Sequence, residues 1–158
     1  MKIVVVSDSH GSRQWRSSIK NALKQADCIY HLGDYASDAA ELEQYCSCPV
    51  KCVLGNCDFN RNVPILIDEV VDGLHVFATH GHRYHVKSDL DMLCEEAKSR
   101  NAKLCLYGHT HVPDITMIDG IWFVNPGSVA ASRGVFPNTY AMIEWNEERN
   151  IYPSIVKV

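Results

Sequence analysis

Short apolar runs recur along the chain, and six of them stop at a compact polar motif. The motifs are Asp8-Ser9-His10, Gly33-Asp34, Gly55-Asn56-Cys57-Asp58, Thr79-His80-Gly81-His82, Gly108-His109-Thr110-His111 and Asn125-Pro126-Gly127-Ser128. The first run, Ile3-Val4-Val5-Val6, is wholly β-branched. Such a run fits a strand buried on both faces, which needs a layer of structure on either side. In an α/β sheet, functional side chains from distant parts of a chain collect beyond the carboxyl ends of the strands. Asp8, Asp34, Asn56, His80 and His109 all fall at such ends, so the pattern points to one rim and one site.

The first third of the chain reads βαβαβ. Ile3–Val6, Cys28–Leu32 and Val50–Leu54 are the strands. Trp15, Ile19 and Leu23, with Ala22 and Ala26, have helical spacing, and Ala39, Leu42, Tyr45 and Cys46 give a shorter second helix. This order predicts a parallel unit with right-handed crossovers. In the centre, Ile65–Val71 and Leu74–Thr79 flank Asp72-Gly73, a strong two-residue hairpin signal. Ser88 is expected to cap a helix, with Asp91 as its capping-box partner and Leu90, Leu93, Cys94 and Ala97 as its apolar face. Leu104–Tyr107 is a further strand. The last third is all strand: Val112–Ile118 and Ile121–Asn125 around Asp119-Gly120, then Thr139–Trp145 and Ile151–Val158. The residues alone support an α/β fold with β-hairpins in its second half, and a single domain over 1–158.

A net charge of −4 and the lack of any Lys/Arg-rich run argue against a non-specific nucleic-acid binder. No apolar stretch approaches the roughly 18 residues of a membrane span. Met1–Ser7 runs directly into strand and is too short for a signal-peptide core, so the expected location is cytoplasmic. The seven cysteines, an odd number, fit reduced thiols better than a disulfide framework. Cys46, Cys48 and Cys52 lack the paired spacing of a structural zinc site, and Cys28 and Cys105 read as small buried hydrophobes.

Two Asp, one Asn and several His suit a pair of divalent ions of the Mn, Fe, Ni or Zn type. Taken singly, Asp8-x-His10 reads as a turn, Gly33-Asp34 as a loop, and Gly55-Asn56 as an Asx-turn. Two His flanking one residue after a strand, His109 and His111, are harder to explain without a task. In this order, all together, they read as a metal site. His31 and His75 read as structural, His85 is not expected to be a ligand, and His82 either reaches the site or faces solvent.

The order and residue types resemble the calcineurin-like metallophosphoesterases, most closely their small single-domain phosphodiesterases, over Asp8 to Ser128. The resemblance implies a four-layer αββα sandwich of two mixed β-sheets flanked by helices. It implies two divalent metal ions, manganese first and Ni, Fe or Zn as alternatives. Asp8, His10 and His111 would hold one ion, Asn56, His80 and His109 the other, and Asp34 would bridge them. Asp34, Asn56 and His109 would serve catalysis directly. A hydroxide bridging ions about 3.5–4 Å apart would attack a small phosphodiester in line. Asn125 would orient a ligand imidazole, and Arg133 would clamp a substrate phosphate or lie free on the surface. The alternatives are a phosphomonoesterase with the same site, or a protein-binding scaffold like the retromer subunit of this fold. Relatives form dimers or larger assemblies, so a homo-oligomer is also implied. One departure stands out. Where the wider superfamily has a His after Gly-Asn, this chain has Cys57, as the nearest small phosphodiesterases do. A thiol is a poor donor to an alkoxide, so good leaving groups would be favoured unless His82 or water supplies the proton. The other reading of Cys57 is a small side chain packed under its loop.

Overall fold

The β-branched run forms β1 (Lys2–Val6), and Ile3 through Val6 are fully buried. β2 (Cys28–His31) pairs parallel with β1, and β3 (Val50–Cys52) parallel with β2. β9 (Thr139–Trp145) lies antiparallel on the other side of β1, and β10 (Ile151–Lys157) forms the edge, where Pro153 is tolerated. The computed structural model describes residues 1–59 and 62–158. A second sheet contains the hairpin of β4 (Leu66–Val71) and β5 (Leu74–Thr79), then β6 (Leu104–Leu106), and the hairpin of β7 (Pro113–Ile118) and β8 (Ile121–Pro126). Its order is β4-β5-β6-β8-β7, with β5, β6 and β8 parallel. Both two-residue turns have positive φ at both positions: 47° and 74° at Asp72-Gly73, 51° and 78° at Asp119-Gly120. That is the primed-turn geometry those dipeptides predict.

Side-chain alternation sorts the layers. Ile3, Val5, Val76, Ala78, Leu104 and Leu106 pack between the sheets. Val4, Val6 and Ile29 face outward and are covered by Trp15, Leu23 and Leu42 from α1 (Gln14–Ser18), α2 (Lys20–Gln25) and α3 (Ser37–Leu42), and by Ile19 between the first two. On the far side, Phe77, Cys105 and Phe123 are covered by Leu93, Cys94 and Ala97 of α4 (Asp91–Ser99). The result is the implied αββα sandwich of two mixed sheets. No helix among the described residues is long and apolar enough to cross a membrane.

Two expectations fail locally. The helix expected through Trp15 and Ala26 is broken at Ile19, whose φ of −99° and ψ of 12° leave helical space while its side chain stays buried with Trp15 and Leu23. Packing overrides propensity there. Ser88 does not cap α4. Its N–H is taken by the His85 carbonyl, and Asp89 Oδ1 instead accepts the Asp91 N–H at 3.0 Å.

A buried polar chain fastens the helices to the loop after β1. His31 is fully buried, and its Nδ1 accepts the Gly33 N–H, so Nε2 carries the proton and donates to Ser9 Oγ at 3.2 Å. Ser9 donates to Asp38 at 2.6 Å, and Asp38 pairs with the buried Arg16 at 2.8 Å. Burial outweighs the pull of Asp38 and pushes the His31 pKa down to about 4. Between pH 6.5 and 4 the unfolded chain therefore binds a proton that the folded chain refuses. Stability present above 6.5 is lost as pH falls to about 4, on the order of 3 kcal/mol from this group. NMR of the His31 ring should show no titration midpoint above pH 5; a midpoint near 6.5 would mean that water reaches it.

Candidate metal centre

The loops that follow β1, β2, β3, β5 and β6 meet at one end of the sandwich. Five of the seven candidate ligands lie in the left-handed region: Asp8 (φ 56°), His10 (46°), Asp34 (55°), His109 (69°) and His111 (62°). Each such residue costs about 1 kcal/mol or more, and persists only where its surroundings over-determine it. Here they do. Asp8 N–H donates to the Gly33 carbonyl, the Asp8 carbonyl accepts from Ser128 Oγ at 2.8 Å, and Gly108 N–H donates to the His80 carbonyl. Gly33 itself has φ 96°, and a Cβ there would meet Gly55 Cα at 2.8 Å. The Asp34 and Asn56 loops touch main chain to main chain.

The seven side chains fall into two groups that share Asp34. Asp8, His10, Asp34 and His111 form one, and Asp34, His80 and His109 the other, each with ligand atoms within 4.8 Å of one another. Asp34 Oδ2 faces His10 Nε2 at 3.9 Å, and Oδ1 faces His80 Nε2 at 3.5 Å. Asn56 joins the second group, with Oδ1 3.2 Å from His80 Nε2.

The donor chemistry fits cations. His80 Nδ1 donates to the Leu32 carbonyl at 2.7 Å, and His111 Nδ1 to the Ala131 carbonyl at 2.6 Å. In each neutral ring the Nε2 lone pair is then left pointing into the site. His80 Nε2 faces Asn56 Oδ1, Asp34 Oδ1 and His109 Nδ1, all within 3.5 Å. His111 Nε2 lies 3.2 Å from Asp8 Oδ1, a buried oxygen with no hydrogen-bond donor among the described residues. Acceptors aimed at acceptors require positive charge between them. Without a metal, a proton serves: the Asp8 carboxylate lifts the His111 pKa above 6.5. Burial would raise the Asp8 carboxyl, but His111, His80 and the Ser7 hydroxyl together hold it below its usual value. Burial, helped by His80, pushes His109 down to about 4, which keeps its lone pair free.

The surroundings correct several readings. Asn125 does not touch a ligand imidazole. Its Nδ2 holds the Gly108 carbonyl and Thr110 Oγ1, both at 3.0 Å, so it braces the loop rather than the ring. The rings are oriented instead by the Leu32 and Ala131 carbonyls, which side-chain identity does not reveal. Asp58 accepts N–H bonds from Asp34, Gly55, Tyr35 and Ala36 at 2.8–2.9 Å. Cys57 is exposed, not packed under its loop, and its N–H donates to Asp34 Oδ1 at 2.9 Å. His82 reaches the rim, 5.4 Å from His80 and 6.0 Å from His109 between ring centroids. Arg133 is exposed and close enough to oppose protonation of His111, as Lys87, which the sequence reading missed, does for His109. His75 pairs with Asp68 at 2.6 Å, away from the site.

Two variants test this construction. Gly33→Ala should lose more than about 3 kcal/mol in urea unfolding, because the main chain of Gly55 cannot yield. Gly120→Ala, with φ 78° but nothing within 4 Å, should lose only about 1 kcal/mol. Asn125→Ala should weaken Mn²⁺ binding by about 10- to 100-fold in a calorimetric titration, the scale for groups supporting ligand loops; unchanged affinity would show that the His109–His111 loop holds its shape without that brace.

Over residues 1–148 the sequence matches the calcineurin-like phosphoesterase superfamily domain. The phosphodiesterase YfcE of Escherichia coli K12 is 28% identical over 168 residues, covering 91% of this chain and 88% of YfcE. Vacuolar protein sorting-associated protein 29 of Schizosaccharomyces pombe is 27% identical over 164 residues, 99% of this chain and 83% of its own. The crystal structure of a predicted phosphoesterase from Streptococcus pneumoniae TIGR4 superimposes with a TM-score of 0.79 at 26% identity, covering 99% of this chain and 97% of that one. The motifs, the sandwich and these matches agree: the chain belongs to the calcineurin-like phosphoesterase superfamily.

Proposed function

We propose that the chain is a phosphodiesterase working with two divalent cations, manganese by preference. One cation is held by Asp8, His10 and His111, the other by Asn56, His80 and His109, with Asp34 common to both. The observation that carries this is the Asp34 carboxylate, whose two oxygens each face a different ligand group. When bound, such cations supply Lewis acidity toward phosphoryl oxygens and bring the pKa of water to near 7. The protein's part is position. Asp34 lies buried on the floor, braced by the Cys57 N–H. Asn56 and the half-buried His109 stand nearer the solvent, where a phosphate group arrives.

Charge favours a diester over a monoester. A monoester brings a second negative charge. Arg16 is the one fully buried cation among the described residues, and it is committed to Asp38 and Glu41. Arg133 and Lys87 stay on the exposed rim. The relative named a phosphodiesterase supports the same choice. The likeness to Vps29 favours a scaffold as the second reading, but a complete set of seven donors argues for turnover. Free thiols at all seven cysteines fit work in the cytoplasm.

Chelator-stripped protein should be inactive, and Mn²⁺ should restore cleavage of bis(p-nitrophenyl) phosphate with kcat/KM at least about tenfold above p-nitrophenyl phosphate. Asp34→Asn should lower the diester rate by about 100-fold or more, the scale for removing a preorganised charge. No cleavage with Mn²⁺, Ni²⁺, Fe²⁺ or Zn²⁺ would favour the scaffold.

A further inference from the structure

A cavity of about 300 Å³ opens directly beside the metal centre, walled by Tyr35, Ala36, Ser37, Cys57, Asp58 and Phe59. Its position follows from the chain. Tyr35 succeeds Asp34 and Cys57 succeeds Asn56, so each wall is the continuation of a ligand-bearing loop. The Asp58 carboxylate fastens the walls together, its Oδ1 on the Tyr35 and Ala36 N–H groups and its Oδ2 on those of Asp34 and Gly55. Both its oxygens are therefore occupied. Among the described residues, no cation lines the cavity. Those residues offer a second phosphate no positive charge.

It does offer aromatic surface. Tyr35 is held at φ 84°, a costly conformation for a bulky residue. That conformation sets its ring 6.4 Å from the His10 ring. Gly11 makes room for it: a Cβ there would come within 2.8 Å of the Tyr35 ring. Tyr35 is 45% exposed and Phe59 94% exposed. A larger cavity, near 530 Å³, lies at the opposite strand ends by Gly73, Trp122 and Ile151, away from every candidate ligand.

We propose that the smaller cavity is a subsite for the flat, uncharged ring of one ester group, stacked on Tyr35 and flanked by Phe59. Its volume sits at the low end for small-molecule sites, which suits one ring and not a second nucleotide. The substrate class is then an aryl or nucleoside phosphodiester, not a dialkyl one. This rests on the phosphodiesterase reading, because the ring is placed by a phosphate held at the metals.

The test compares phenyl phosphate with methyl phosphate, which carry the same charged head, in calorimetric titrations of the Mn²⁺-loaded protein. Stacking of a ring on an aromatic side chain is expected to favour the phenyl ester by about 5- to 100-fold. Tyr35→Ala and, separately, Phe59→Ala should bring that ratio toward one, and Tyr35→Phe should keep it. Phe59 is too exposed for its truncation to threaten folding, so the test survives failure of the Tyr35 variant. Equal affinities in the parent, or a preference that outlives both alanine variants, would overturn the subsite alone. If neither phosphate binds the loaded protein, the subsite is overturned, and the phosphodiesterase reading falls with it only where bis(p-nitrophenyl) phosphate is not cleaved either.

Discussion

Hydrogen-bond acceptors pointed at one another are the constraint around which this molecule is arranged. Leu32 and Ala131 take the Nδ1 protons of His80 and His111, and in doing so turn both Nε2 lone pairs toward carboxylate and amide oxygens. Left alone, that arrangement is repulsive. It is held because its members sit on loops anchored by two sheets packed face to face on a buried hydrophobic cluster. A positive charge turns the same geometry from repulsive to attractive.

Holding it requires rigidity in the supporting structure. The strained dihedrals at Asp8, His10 and Asp34 are spanned by main-chain bonds between loops, from Asp8 to Gly33 and from His10 to Asp34, while His109 sits between a bond from Gly108 N–H to the His80 carbonyl and a local one from Thr110 N–H to the Gly108 carbonyl. Gly33 and Gly55 let two of those loops touch, and Asp58 and Asn125 knit them with side-chain bonds. The chain thus places its conformational cost on the rim and recovers it from burial in the sheets beneath.

Much of this was legible in the residues. Strand ends and the convergence of Asp8, Asp34, Asn56, His80 and His109 on one rim followed from apolar runs broken by Asp, Asn and His, and both hairpins from Asp-Gly, because those signals are local; the division into two ligand groups came from the family resemblance. The break at Ile19 and the start of α4 were not legible, since each is decided by packing or by a competing turn and not by propensity. The partners of His80 and His111 are main-chain carbonyls, which every residue possesses and no sequence marks. Asn125 was assigned to the site but to the wrong partner, because its side chain reaches the loop backbone first. Tyr35 drew no notice, since an aromatic after Asp34 acquires meaning only once its left-handed backbone and Gly11 are seen together.

The candidate ligands come from five separate strand ends spread from Asp8 to His111. No fragment of the chain contains a complete set, so a cation finds its site only in the folded whole. The binding free energy of such a cation would therefore add to global stability, by an amount set by free metal concentration relative to its dissociation constant. The lifetime of this protein in a cell would then follow metal supply, whether or not it is turning over substrate.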